Sequence, residues 1–275
     1  MRSLLVFVSF LLFPGIYGQY YFNDMVSTQA SNDQYKLLRT NKIRKIKATS
    51  YEVDNTPTEG FSLEEEISMD GKRIILSTST SSGRSSVTNR FYELSKLKRT
   101  QSIYNGIDSK TEYTYNEKGL IQKIILTTTD TAMKSTLTEV HEWTYNEAGQ
   151  PQSMLKIKNR TDTTVIELIK DEQGLIAEER WKRKNRVVET YYYYYDANKQ
   201  LTDIVRYNTR LKKLLPDFQY EYDAKGRVNK MTQLSMSTNS YFIWQYVYNE
   251  KGLKEKEVGF DKDRRMVGRI EYTYE

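Results

Sequence analysis

Tyr220-Glu221-Tyr222-Asp223-Ala224-Lys225-Gly226-Arg227-Val228 is the stretch on which the reading of this chain turns. Asp223 opens a turn with its side chain bonded to the backbone, and Gly226 supplies a positive φ. The residues before the turn alternate, as a half-buried antiparallel strand does. The same phrase recurs as Tyr115-Asn116-Glu117-Lys118-Gly119-Leu120, Tyr145-Asn146-Glu147-Ala148-Gly149-Gln150 and Lys170-Asp171-Glu172-Gln173-Gly174-Leu175. It returns as Tyr195-Asp196-Ala197-Asn198-Lys199-Gln200 and Tyr248-Asn249-Glu250-Lys251-Gly252-Leu253. Upstream, Gly71 and the weaker Leu94-Ser95-Lys96 fit the spacing, and Glu271-Tyr272-Thr273-Tyr274-Glu275 begins one more unit and stops. The turn glycines are thus Gly71, Gly119, Gly149, Gly174, Gly226 and Gly252.

A repeat of about 25 residues with one turn phrase reads as two strands and two turns. The expected fold is all-β: tandem hairpins of roughly 14–16 strands with few or no helices, forming one elongated or curled antiparallel sheet. The first strand and the last half-unit are expected to cap its open edges, which would otherwise recruit another chain. Three divisions follow: 1–18 as a signal peptide, 19–70 as capping strands with a first, degenerate repeat, and 71–275 as the repeat domain.

Aligning the units on their turns separates two faces, because side chains alternate along a strand. One face collects Tyr115, Tyr145, Lys170, Tyr195, Tyr222 and Tyr248, then Tyr113, Trp143, Leu168, Tyr193, Tyr220 and Tyr246. A third column on that face holds Thr111, His141, Ile166, Tyr191, Phe218 and Trp244. The other face carries Glu112, Glu142, Glu167, Tyr192, Gln219 and Gln245. The aromatic ladder has two readings: a core buried unit upon unit, which leads, or a platform on which sugar rings stack. Tyr192 and Tyr194 fall on the polar side, so they, with Trp181 and Tyr207 as neighbours, are the candidate ligand-binding residues.

The phrase Tyr-x-Tyr-Asp-x-x-Gly-Arg-Val resembles the YD repeats of bacterial RHS proteins, and the likeness recurs from about Gly71 to the C-terminus. That resemblance implies hairpins joined into a long curling sheet on a secreted or cell-surface protein. The units here are longer than that family's consensus, and Asn often replaces Asp. A short, tyrosine-rich chain with a leader also resembles exported proteins of Bacteroidota, from which no activity carries over.

Composition narrows the chemistry. The chain has 275 residues, no cysteine, one histidine and 23 tyrosines. Disulfides, thiolate zinc sites, cysteine nucleophiles and histidine-based triads are therefore excluded. Met1-Arg2-Ser3, the apolar run Leu4–Phe13 and Gly18 have the parts of a secretory signal peptide, with the mature chain beginning near Gln19. No phosphate loop, G-x-S-x-G or zinc spacing is present, so no cofactor, metal or catalytic residue is expected. His141 reads as a ring among rings, and the glutamate column as a polar face balanced by lysines on adjacent strands. Basic runs at Lys42–Lys47, Lys182–Arg186 and Arg210–Lys213 read as solvated loops, with anionic surface polymer or headgroup as their functional reading. Nucleic acid is not an expected partner of an exported chain.

The leading functional reading is a non-enzymatic exported scaffold, secreted, periplasmic or on the cell surface, with polysaccharide or another envelope polymer as its ligand. The alternative is a protein-interaction or self-assembly module that uses sheet edges and loops. The third is an outer-membrane β-barrel, which the strand number and leader permit.

Overall fold

The structure, a computed structural model, describes residues 19–80, 82–208, 211–235 and 240–275. The expected signal peptide, 1–18, lies outside the described residues. A π-helical turn, Tyr21–Val26, runs directly into helix α1, Ser27–Thr40. Eighteen strands follow. They begin with β1 (Lys45–Tyr51), β2 (Ser62–Ile67), β3 (Arg73–Ser79), β4 (Ser85–Glu93), β5 (Lys96–Tyr104) and β6 (Ile107–Tyr115). Next come β7 (Ile121–Asp130), β8 (Ser135–Tyr145), β9 (Pro151–Lys158), β10 (Asp162–Lys170), β11 (Ile176–Arg183) and β12 (Arg186–Tyr195). The last six are β13 (Leu201–Asn208), β14 (Lys213–Tyr222), β15 (Val228–Ser235), β16 (Ser240–Tyr248), β17 (Lys254–Phe260) and β18 (Met266–Tyr274).

Each strand pairs antiparallel with the next, and β18 pairs with β1, so the sheet closes into an 18-stranded barrel. This corrects the expectation of an open or curled sheet. The first and last strands do not cap separate edges; they join, with Ile46 opposite Tyr274 and Ala48 opposite Tyr272. The half-unit Glu271–Glu275 is completed in space by β1, which stands where the missing second strand of its hairpin would be. Closure leaves no strand edge, which removes the β-pairing route to partners that the alternative reading had included.

Recurrent bulges contribute to the curvature that closure needs. The register shifts at Thr114/Tyr115, Thr144/Tyr145, Ile169/Lys170, Tyr194/Tyr195, Glu221/Tyr222 and Val247/Tyr248, each time one residue before the turn phrase's Asn or Asp. A bulge bends its strand and increases the local twist. Placed at the same level in hairpin after hairpin, the bends accumulate around the ring.

The turns work as their chemistry requires. Asn116 Oδ1 accepts from the Leu120 backbone N–H at 2.9 Å, and the Gly119 N–H returns to the Asn116 carbonyl at 2.8 Å. The same side-chain bond recurs at Asn146, Asp171, Asp196, Asp223 and Asn249. Gly119 and Gly226 stand at φ +73° and +76°, and Lys199 takes +63° in the phrase that lacks glycine. A β-branched residue resists this region by about 1–2 kcal/mol. Gly226→Val is therefore expected to lower the melting temperature by a few degrees, and a thermal scan that leaves it unmoved would contradict this account of the turn.

The aromatic face points into the barrel. Tyr191, Tyr193, Tyr220, Tyr246, Trp143 and Trp244 are buried there. Tyrosine rather than phenylalanine fills the column next to the turns because its hydroxyl has a fixed task. Tyr115 donates to the Leu97 carbonyl, Tyr195 to Ile176, Tyr222 to Leu201 and Tyr248 to Val228, each reaching back into the preceding hairpin. Tyr145 and Tyr274 make the same stitch to Ile121 and Lys254. Lys170, the exception in that column, reaches Gln150 Oε1 at 2.8 Å. Tyr222→Phe should cost about 1 kcal/mol, the net worth of one such bond, measured by denaturant unfolding.

Candidate functional site: the helix-filled lumen

Segment 19–70 holds two strands, β1 and β2, but opens with the helix, which the strand-only expectation did not include. The helix touches residues on β4, β5, β8, β11, β12 and β14, strands spread around the ring, and so lies within it. Its inward stripe is Asp24, Thr28, Asn32, Tyr35 and Leu38, all buried at helical spacing. Tyr35 stacks on Tyr92 with ring centroids 4.0 Å apart, and Asn32 Oδ1 accepts from the Leu97 backbone N–H at 2.8 Å. Phe22 lies parallel to Phe218 and Tyr220.

Glu179 holds the N-terminal end of this helix. Its two oxygens accept from the backbone N–H of Tyr20 at 2.9 Å and of Tyr21 at 2.8 Å. Trp181 Nε1 and the Tyr193 hydroxyl donate to it as well, at 2.7 and 2.8 Å. The carboxylate thus takes four donors and sits where the helix dipole favours negative charge. It is fully buried, and burial raises its pKa against the pull of these hydrogen bonds. Beside it, Gln19 Nε2 donates to Asp217 Oδ2 at 2.9 Å, and Arg206 Nε donates to Asp217 Oδ1 at 3.0 Å. Burial raises the Asp217 pKa too, against the Arg206 charge.

A second clamp sits at His141. Its Nδ1 lies 2.7 Å from Asp24 Oδ2 and its Nε2 lies 2.9 Å from Glu139 Oε1. With a carboxylate at each ring nitrogen, both nitrogens are donors and the ring is an imidazolium. Burial by itself would lower the His141 pKa; Asp24, by charge and hydrogen bond, and Glu139 outweigh it and push it up to about 9. Asp24 Oδ2 also accepts from Trp143 Nε1 at 2.9 Å, and Glu139 Oε2 pairs with Lys156 Nζ at 3.2 Å. Lys156 in turn reaches the Tyr20 hydroxyl and lies over the Trp181 ring. One continuous polar network therefore ties the helix to strands β8, β9, β11 and β12.

The binding candidates read from the sequence separate into two groups. Trp181 faces the lumen, stacked on Tyr20 with centroids 4.9 Å apart, because it pairs across the sheet with buried Ile166. This corrects its place on the polar side. Tyr192, Tyr194 and Tyr207 lie on the outer wall; Tyr194 and Tyr207 are 48% exposed, and Tyr192 is half-buried opposite Glu178 and Val205. His141 keeps its place in the ring column, but it is an ion-paired clamp rather than one more ring. Asp24, Glu139, Glu179 and Asp217 were not singled out from the sequence. The signal that could have found the first was the i, i+4 spacing of Asp24, Thr28 and Asn32, a helical stripe made of polar residues.

The outer wall carries cross-strand ion pairs. Lys123 bonds Glu142 at 2.8 Å, Lys182 bonds Glu167 at 2.6 Å, Lys230 bonds Glu221 at 2.7 Å, and Lys256 pairs with Glu271 at 3.3 Å. Lys45 pairs with Glu64 and Glu66 on the neighbouring strand. Among the described residues, no helix is long and apolar enough to cross a membrane.

No protein-family model and no curated protein matches the chain. Solved structures with a similar course include a porin-like protein from Bacteroides uniformis, at TM-score 0.42 and 9% identity over 85% of this chain and 96% of that one. A porin-like protein from Bacteroides vulgatus aligns at TM-score 0.32 and 11% identity, over 83% of this chain and 97% of that one. The Photorhabdus luminescens Tc holotoxin pore aligns at TM-score 0.31 and 11% identity over 85% of this chain, which spans 17% of the toxin chain.

Proposed function

We propose that the chain is a non-enzymatic β-barrel of the cell envelope whose lumen is stoppered by its own helix and whose outer wall meets water. Among the earlier readings, the closed ring of 18 strands matches the β-barrel one better than an open-edged scaffold. The observation that carries the proposal is the belt of cross-strand ion pairs on the outer wall. A lipid-facing wall needs an apolar band, and each Lys or Arg at the bilayer midplane costs roughly 2–4 kcal/mol. Lys45, Lys123, Lys182, Lys230 and Lys256 stand on β1, β7, β11, β15 and β17, so charged pairs recur on the wall at intervals around the ring. The engaged nitrogens of His141 and the four donors on Glu179 support a holding role for the lumen rather than a catalytic one. Detergent phase separation tests the reading: the protein is expected in the aqueous phase. Recovery in the detergent phase would place the wall in lipid, as the outer-membrane reading has it.

A second reading, glycan binding, rests on the half-exposed rings of Tyr194 and Tyr207 on adjacent strands of the outer wall. Affinity electrophoresis through polysaccharide gels should show retardation that Tyr194→Ala with Tyr207→Ala relieves. Free migration of the parent through every polymer would remove this reading.

A further inference from the structure

The two mouths of the barrel differ. One carries the repeated turn phrases and α1; the other carries the remaining hairpin tips. Of the seventeen exposed large apolar side chains among the described residues, thirteen lie at or within a few residues of this second set of tips. Among them are Ile103 at 60%, Met133 at 79%, Val187 at 52%, Val188 at 54%, Leu211 at 48% and Leu214 at 46%. They belong to the hairpins β5–β6, β7–β8, β11–β12 and β13–β14, which share one arc of the rim. Cations are interleaved with them: Lys134 follows Met133, Lys184 and Arg186 precede Val187, and Lys212 and Lys213 lie between Leu211 and Leu214. Unlike the lysines of the outer wall, these five have no carboxylate partner among the described residues.

We infer that this rim docks the barrel on the surface of an anionic phospholipid bilayer. Apolar tips that enter the headgroup boundary, flanked by unpaired cations that meet lipid phosphates, are the two components of interfacial binding. Charge complementarity selects this occupant over a second copy, because rim against rim would bring five unpaired cations onto five more. The inference rests on the water-facing reading of the wall, since a barrel embedded through its wall would not need a docking rim.

The test is sedimentation of the purified protein with vesicles of phosphatidylcholine, with and without phosphatidylglycerol. Binding is expected only with phosphatidylglycerol. It should fall at least tenfold in Lys212→Glu with Lys213→Glu, and as much in Met133→Asp with Leu211→Asp. Met69→Asp with Lys225→Glu, at the other mouth, should bind as the parent does. All these sites are exposed, and unchanged melting temperatures would verify that the variants fold. The inference is overturned if the parent ignores phosphatidylglycerol, if the control pair weakens binding equally, or if the rim variants abolish self-association instead. Detergent phase separation of the same sample distinguishes the failures. Aqueous recovery with no vesicle binding removes the rim docking alone, and detergent recovery removes the water-facing wall beneath it.

Discussion

Glu179→Ala is expected to free the lumenal helix and to lower the unfolding free energy by on the order of 3–5 kcal/mol. The substitution leaves the Tyr20 and Tyr21 N–H groups, the Trp181 indole N–H and the Tyr193 hydroxyl without their common acceptor in a buried site. Each unsatisfied buried donor costs about 1–3 kcal/mol, and partial relaxation keeps the total below the sum. Glu179→Gln retains one acceptor oxygen but turns an amide NH₂ toward groups that are themselves donors, so an intermediate loss is expected. Denaturant unfolding gives the magnitude, and limited proteolysis between residues 19 and 41 locates it. A Glu179→Ala variant as stable as the parent, with its helix still resistant, would show that packing alone holds the stopper.

Raising the pH should loosen the same element at its second clamp. The folded chain holds the His141 proton with a pKa of about 9, against about 6.5 for a free histidine. Stability from this contact is therefore complete below pH ~6.5 and is lost as pH rises through about 9, a change on the order of 3 kcal/mol. Glu179, Asp217 and Glu189, whose pKa values burial raises above the ordinary carboxylate range, act in the same direction. Melting temperature should thus fall between pH 6.5 and 9, and His141→Gln should be less stable at pH 6 with a flatter profile. A parent whose profile is flat across that interval would mean that Asp24 and Glu139 do not hold a proton on this ring.

Much of the wall was legible in the sequence because its signals are local. Asn or Asp and then Gly three residues later set the turns, and period-two alternation put Tyr193 and Tyr220 on one face and Glu142 and Glu167 on the other. Those features need only neighbouring residues, and the structure has the rings inside and the glutamates paired with lysines outside. Trp181 was misplaced because its unit lacks the Tyr-x-Tyr that anchors the alignment in the others. The helix was missed for a physical reason: three of its five buried positions, Asp24, Thr28 and Asn32, are polar, so its first half shows no apolar periodicity.

The sequence by itself determined a meander of tandem hairpins and the sidedness of the strands that lead into its turn phrases, since a one-residue slip would turn the ring column outward. Only the tertiary structure decided that the meander closes, that β1 completes the unit begun by Glu271–Glu275, and that Glu179 on β11 and His141 on β8 grip a helix inside the ring. Closure depends on small bends at the recurrent bulges, added over eighteen strands, and the clamps join residues separated by more than a hundred positions. No local window of sequence contains either quantity.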